Sequence, residues 1–175
     1  AIILNLREMA QKYPFPLNLI RTVFPIYERI YLQGAINWAG KLFLTPIRFG
    51  FTEKEKEFLP QLEQSTLDQN GQKIRLYSMG EGPTVICLHG WSGRALQYRM
   101  FAEALVAKGY RFVAFDAIGH GQSEGRISGL FEFANGLEIV LRKEQNVKAI
   151  IGHSLGASSC SYYASNIGEI PALVS

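Results

Sequence analysis

The sequence predicts an α/β fold, a mostly parallel sheet with helices on both faces, preceded by a helical N-terminal extension. Three observations predict it. Short apolar strands alternate with helical stretches from about residue 63 onward, the pattern of a sheet covered on both sides. Three of those strands run directly into glycine-bearing polar motifs. The first fifty residues show helical spacing instead, which sets them apart as an extension. The expected division is residues 1–52 for the extension and 53–175 for the α/β domain.

Residues 1–12 and 16–44 are expected as helices. Leu19, Ile20, Val23, Phe24, Tyr27, Ile30 and Tyr31 recur at helical spacing. Pro25 is expected to kink this run or to open a second helix, and Thr45-Pro46 to end it. Thr52-Glu53-Lys54-Glu55 fits a capping box ahead of a short helix to Phe58. Ser65–Gln69 and Lys73–Ser78 flank Asn70-Gly71, a pair that tolerates the positive φ of a tight hairpin turn. Strands are expected at Thr84–Leu88, Arg111–Phe115 and Val147–Ile151, with a last one starting near Pro171. Helices are expected over Gly93–Lys108, with Phe101 and Leu105 on its core face, over Leu130–Lys143, and after residue 154.

The chemistry is concentrated past the strands' carboxyl ends, the edge where open α/β sheets bind ligands. His89-Gly90-Trp91-Ser92-Gly93 follows the first strand of the series. Asp116-Ala117-Ile118-Gly119-His120-Gly121-Gln122-Ser123 follows the second. Gly152-His153-Ser154-Leu155-Gly156 follows the third and precedes a small-residue helix. That last run is G-x-S-x-G in strand–turn–helix context, a nucleophile elbow that holds a serine on a sharp turn. Gly152 and Gly156 let strand and helix approach closely there.

In this order the three motifs resemble the α/β-hydrolase superfamily, and more closely its single-domain esterase, lipase and aminopeptidase-like members. The resemblance covers roughly residues 65–175 and specifies the superfamily better than the substrate. It implies that Ser154 attacks a carbonyl carbon and forms an acyl-enzyme. It implies an oxyanion hole made by the backbone N–H groups of Trp91 and Leu155. The Trp91 side chain is then a wall. His89 shapes the oxyanion loop rather than acting as base, and His120 is a hydrogen-bonding residue of its turn. His153 diverges from its neighbour Ser154. Asp116 fixes the Gly119–Gly121 loop, because a catalytic acid would come later in the chain.

Superfamily enzymes place the triad in the order Ser, Asp or Glu, His. After Ser154 there is one acid, Glu169, and no histidine. The resemblance therefore implies the N-terminal part of a longer hydrolase, its triad completed elsewhere. Such a segment is expected to be nearly inactive alone and, with an exposed sheet edge, poorly soluble. The alternative is a non-catalytic binding module of the same fold.

Composition limits the rest. Hydrophobic content of 47% against 19% charged describes a globular chain, and 175 residues can bury a real core. Two cysteines, Cys87 and Cys160, do not make a secreted disulfide framework, so a reducing cytoplasmic setting is expected. No metal-ligand cluster and no phosphate-cradling G-x-x-x-x-G-K is present, and Gly80-Glu81-Gly82 lacks the third glycine of a dinucleotide site. No cofactor and no nucleic-acid partner is expected; a small ester or amide is. The net charge of +3 is uneven: residues 1–50 carry Arg7, Lys12, Arg21, Arg29, Lys41 and Arg48 against Glu8 and Glu28, a net +4. Residues 13–50 could then serve as a peripheral membrane contact, or cap the domain's own core.

Overall fold

A computed structural model describes the backbone of residues 15–175 and side chains from Leu19 onward. The helix expected over residues 1–12 lies outside the described residues. The described chain divides into two compact units, one ending at Phe43 and one spanning Leu44–Ser175.

The first unit is built on α1 (Phe15–Ile30) and α2 (Leu32–Leu44). Pro25 does not open the second helix: it sits inside α1, and α1 gives way to α2 at Tyr31. The reason lies in packing. Trp38 turns back onto Phe24 and Tyr27, with ring centroids 5.5 and 6.1 Å away. Gly34 permits this: a Cβ there would meet the Tyr27 hydroxyl and the Tyr31 ring within 2.3 Å. A proline removes one helix hydrogen bond, and aromatic packing of this kind can outweigh it.

The second unit starts ahead of the 52/53 boundary expected from sequence, because residues 44–48 bond to its loops. The Leu44 carbonyl accepts from Ser128 N, Ile47 N donates to Ser92 Oγ, and Arg48 donates to the Gly119 and Gly125 carbonyls. Helix α3 (Glu53–Phe58) has the expected capping box at Thr52 and Glu55.

The sheet contains β1 (Glu63–Gln69), β2 (Gln72–Met79), β3 (Thr84–Leu88), β4 (Arg111–Phe115), β5 (Val147–Gly152) and β6 (Leu173–Val174), in the spatial order β1-β2-β4-β3-β5-β6. The β1–β2 hairpin turns on Asn70 (φ 54°) and Gly71 (φ 82°), both left-handed, with the Gly71 amide donating to Asp68 Oδ1. β2 pairs antiparallel with β1 and β4; β4, β3, β5 and β6 are mutually parallel. Alternation along β4 feeds two cores. Val113 and Phe115 join Ile86, Leu88, Phe133, Leu137 and Cys160 on one side, against α5 (Leu130–Lys143) and α6 (Leu155–Asn166). Phe112 and Ala114 join Tyr77, Cys87, Leu96 and Ala102 on the other, against α4 (Arg99–Ala107).

One helix departs from expectation. The stretch from Gly93 opens as loop and a 3-10 turn, Ala95–Tyr98, before α4 begins. The face of α4 that meets the sheet is made by Ala102 with Leu105 and Val106 one turn on, which leaves Phe101 at its margin. Ala102 takes the buried position, and Phe101 stands half-exposed against Tyr98.

Candidate functional site

The strand order explains how three distant motifs meet. The chain goes from β3 to β4 on one side, then crosses to β5 on the other. β4, β3 and β5 are neighbours and parallel, so the loops after them leave one edge at the point where the winding reverses.

Ser154 occupies the turn between β5 and α6, with φ 52° and ψ −119°, and it is exposed. Positive φ on a non-glycine residue costs about 1–3 kcal/mol, so the surroundings must enforce it. They do so through close approach. A Cβ on Gly156 would lie 2.4 Å from the Leu88 carbonyl oxygen and 2.5 Å from that of His89. One on Gly152 would lie 2.7 Å from Ala157 Cα. The turn is bonded on both sides, His153 N donating to the Leu88 carbonyl and Gly156 N to the His153 carbonyl. Gly90 is pressed against it: a Cβ there would sit 3.1 Å from Ser154 Cβ and 2.9 Å from His153 Nδ1. The loop bearing Trp91 therefore abuts the serine. Leu155 opens α6, where a helix's first amides have no intrahelical acceptor and carry partial positive charge.

His89 is buried and held at both ring nitrogens. Nε2 accepts from Ala117 N at 3.1 Å, so Nδ1 carries the proton and donates to the Gly90 carbonyl at 2.7 Å. Burial pushes its pKa down to about 4, and His153 adds to the effect. It is neutral near pH 7 and joins the loops after β3 and β4. His120 donates from Nδ1 to the Ile118 carbonyl, and burial likewise lowers its pKa to about 4. Its Nε2 is buried with no hydrogen-bond partner among the described residues. The ring packs against His89, Phe133 and Trp91 with centroids 5.0, 5.0 and 5.2 Å away.

Asp116 is buried, and its oxygens are occupied. Oδ1 accepts from Ala95 N at 2.7 Å; Oδ2 accepts from Gln122 N at 2.8 Å and the Tyr77 hydroxyl at 3.2 Å. Burial raises its pKa, and these donors pull the other way. A Cβ on Gly121 would strike the carboxylate, so the Gly119–Gly121 turn closes directly over it. Glu169 is exposed between α6 and β6. Because β6 runs parallel to β5, that position lies at the edge opposite Ser154.

Sequence reasoning missed two supports. Glu55 and Arg94 form a buried pair at 2.9 and 2.7 Å, just past the Trp91 loop. Burial opposes the charge on Glu55, but Arg94 and Thr52 hold its carboxyl below the usual range. Arg48 is the second: its guanidinium reaches the carbonyls of Gly119, Gly121 and Gly125 at 2.9, 3.4 and 2.6 Å. Buried Pro46 packs on Gly119. The only hint in the sequence was a Thr-Pro-Ile-Arg run past the helical pattern.

A family model described as alpha/beta hydrolase fold matches residues 83–175. The chain belongs to the α/β-hydrolase fold family. Among similar curated proteins, epoxide hydrolase 3 of Siraitia grosvenorii is 34% identical over 70 residues, 40% of this chain and 22% of that protein. Protein phosphatase methylesterase 1 of Bos taurus is 30% identical over 110 residues, 58% of this chain and 29% of that one. The thioesterase domain of the curacin biosynthetic pathway has a TM-score of 0.56 at 32% identity, covering 59% of this chain and 39% of that domain. The matched α/β-hydrolase segment thus spans under a third of these curated relatives. What they share is hydrolysis on this fold.

Proposed function

We propose that the protein is a serine hydrolase of carboxylic esters, with thioesters and amides as related substrates, acting through an acyl-enzyme on Ser154. The observation that carries the reading is Ser154 itself: exposed, at positive φ, at the start of α6, against the Gly90-Trp91 loop.

In this mechanism Oγ bonds to the carbonyl carbon and its proton passes to a general base. The carbonyl oxygen takes the negative charge and meets the N–H groups of Trp91 and Leu155. Removing one such donor costs about 100- to 1000-fold in rate. The alkoxide leaves with the base's proton, and water then releases the acid from the ester on Ser154. Among the described residues none is assigned as that base or as its orienting acid. Of the three histidines here, His89 and His120 are committed to loop carbonyls, and His153 neighbours Gly90. Asp116 is buried and accepts from three donors. Cys87 and Cys160 are buried free thiols in separate cores, which supports a reducing cytoplasm.

The nucleophile also separates the relatives' chemistries. A hydroxyl that opens an epoxide forms an alkyl ether, which water does not cleave. A hydroxyl that attacks an ester forms another ester, which water does cleave. Serine at position 154 therefore favours acyl substrates over epoxides.

The test is turnover by the intact protein of p-nitrophenyl esters and of styrene oxide. Ester hydrolysis should fall about 10⁴-fold or more in Ser154→Ala, with no epoxide opening in either protein. Undiminished ester turnover in Ser154→Ala, or no ester turnover by the intact protein, would overturn the reading; the latter would favour a binding module.

A further inference from the structure

The two helices of the first unit each carry a second apolar face. Phe24, Tyr27 and Trp38 pack against one another, and Gly34 and Ala35 are buried. A further set of apolar residues is exposed, Val23 nearest that contact, where it lines a groove with Tyr27 and Trp38. On α1, Leu19, Val23, Ile26 and Ile30 follow one another at spacings of four, three and four, which aligns them along one side of the helix. They are 52%, 43%, 59% and 77% exposed. On α2, Leu32, Ile36, Ala39 and Phe43 repeat the spacing, with Leu32, Ile36 and Phe43 exposed. Single exposed apolar residues are ordinary, but aligned rows on consecutive helices mark a contact surface.

Charge selects the occupant. Helices α1 and α2 carry Arg21, Arg29 and Lys41 against Glu28, a net +2. A second copy would bring like charge against like. An anionic surface would meet the opposite sign. Arg29 follows the row's direction at one side, about 100° around the helix from Ile30. Its long stem can lie along apolar surface while the charge stays at the headgroups. Among the described residues no helix is long and apolar enough to cross a membrane, so the geometry suits helices lying in the interface plane.

We propose that the outer face of α1 and α2 docks on an anionic lipid surface through Leu19, Val23, Ile26, Ile30, Ile36 and Phe43. The proposal is independent of the chemistry at Ser154. The intact protein would be sedimented with vesicles of phosphatidylcholine alone and of phosphatidylcholine with phosphatidylserine, at low and high salt. Binding should favour the anionic vesicles, weaken with salt, and drop about tenfold or more in Ile26→Glu/Ile36→Glu. Circular dichroism of that variant should match the parent, since both positions are exposed. Equal binding to neutral and anionic vesicles, no binding, or binding unchanged in the variant would overturn the proposal. So would light scattering that shows a dimer dissolved by the same substitutions.

Discussion

The two units use apolar surface in opposite ways. In Leu44–Ser175 the large apolar groups fill two cores, and His89, Asp116, Glu55 and Arg94 are buried with their partners in place. In the helices before it, the aromatic contact is inside and rows of leucine and isoleucine are outside. A buried polar network stabilises only when its members are satisfied, and it fixes geometry when they are. An uncovered apolar row fixes no geometry and contributes little to folding. Substitutions should therefore be costly in the first case and nearly silent in the second.

The sharpest contrast comes from Gly156→Ala. Its methyl would meet two backbone carbonyls, at 2.4 and 2.5 Å, and neither can rotate away. A loss on the order of 3 kcal/mol or more is expected in denaturant melts. A near-neutral result would mean that β5 and α6 are looser than the site requires.

Acid should strike the same unit next. His89 has a folded pKa of about 4, below its ordinary value near 6.5. The unfolded chain then binds more protons between those values, so stability is fully present above pH 6.5 and falls as pH drops toward 4. His89 alone accounts for about 3 kcal/mol of that fall. His120 acts in the same direction, whereas Asp116, whose pKa is raised, opposes it. His89→Gln should flatten the acid limb of melting temperature against pH. A limb as steep as the parent's would remove His89 from the account.

Arg48→Ala should cost less, about 1 kcal/mol, because the guanidinium is partly in water. Thermal melts would measure that, and slower labelling of Ser154 should accompany it. Ile30→Glu should change stability by under about 0.5 kcal/mol by the same assay. A large loss there would show that the outer row is packed in the folded protein.

The unequal legibility of the two regions has a physical basis. Short apolar runs bounded by turns, the Asn70-Gly71 turn and the Thr52–Glu55 box are local rules, and β3 to β5, the β1–β2 hairpin and α3 follow them. The convergence of the three motifs was legible because each directly follows a strand. Long-range choices were not. Nothing within a few residues of Arg48 announces carbonyls more than seventy positions away. The Glu55–Arg94 pair hides behind a capping box that already accounts for the glutamate. Which side of α4 meets the sheet is a tertiary choice, and it falls to Ala102, Leu105 and Val106 with Phe101 at the margin; Pro25 likewise sits inside α1 while α2 opens only after Tyr31.

The most direct measurement is a fluorophosphonate probe on the intact protein, followed by peptide mass spectrometry. The adduct should sit on Ser154, and the Ser154→Ala protein should take up none. An adduct on any other residue, or undiminished labelling after the substitution, would contradict the assignment of this serine as the nucleophile.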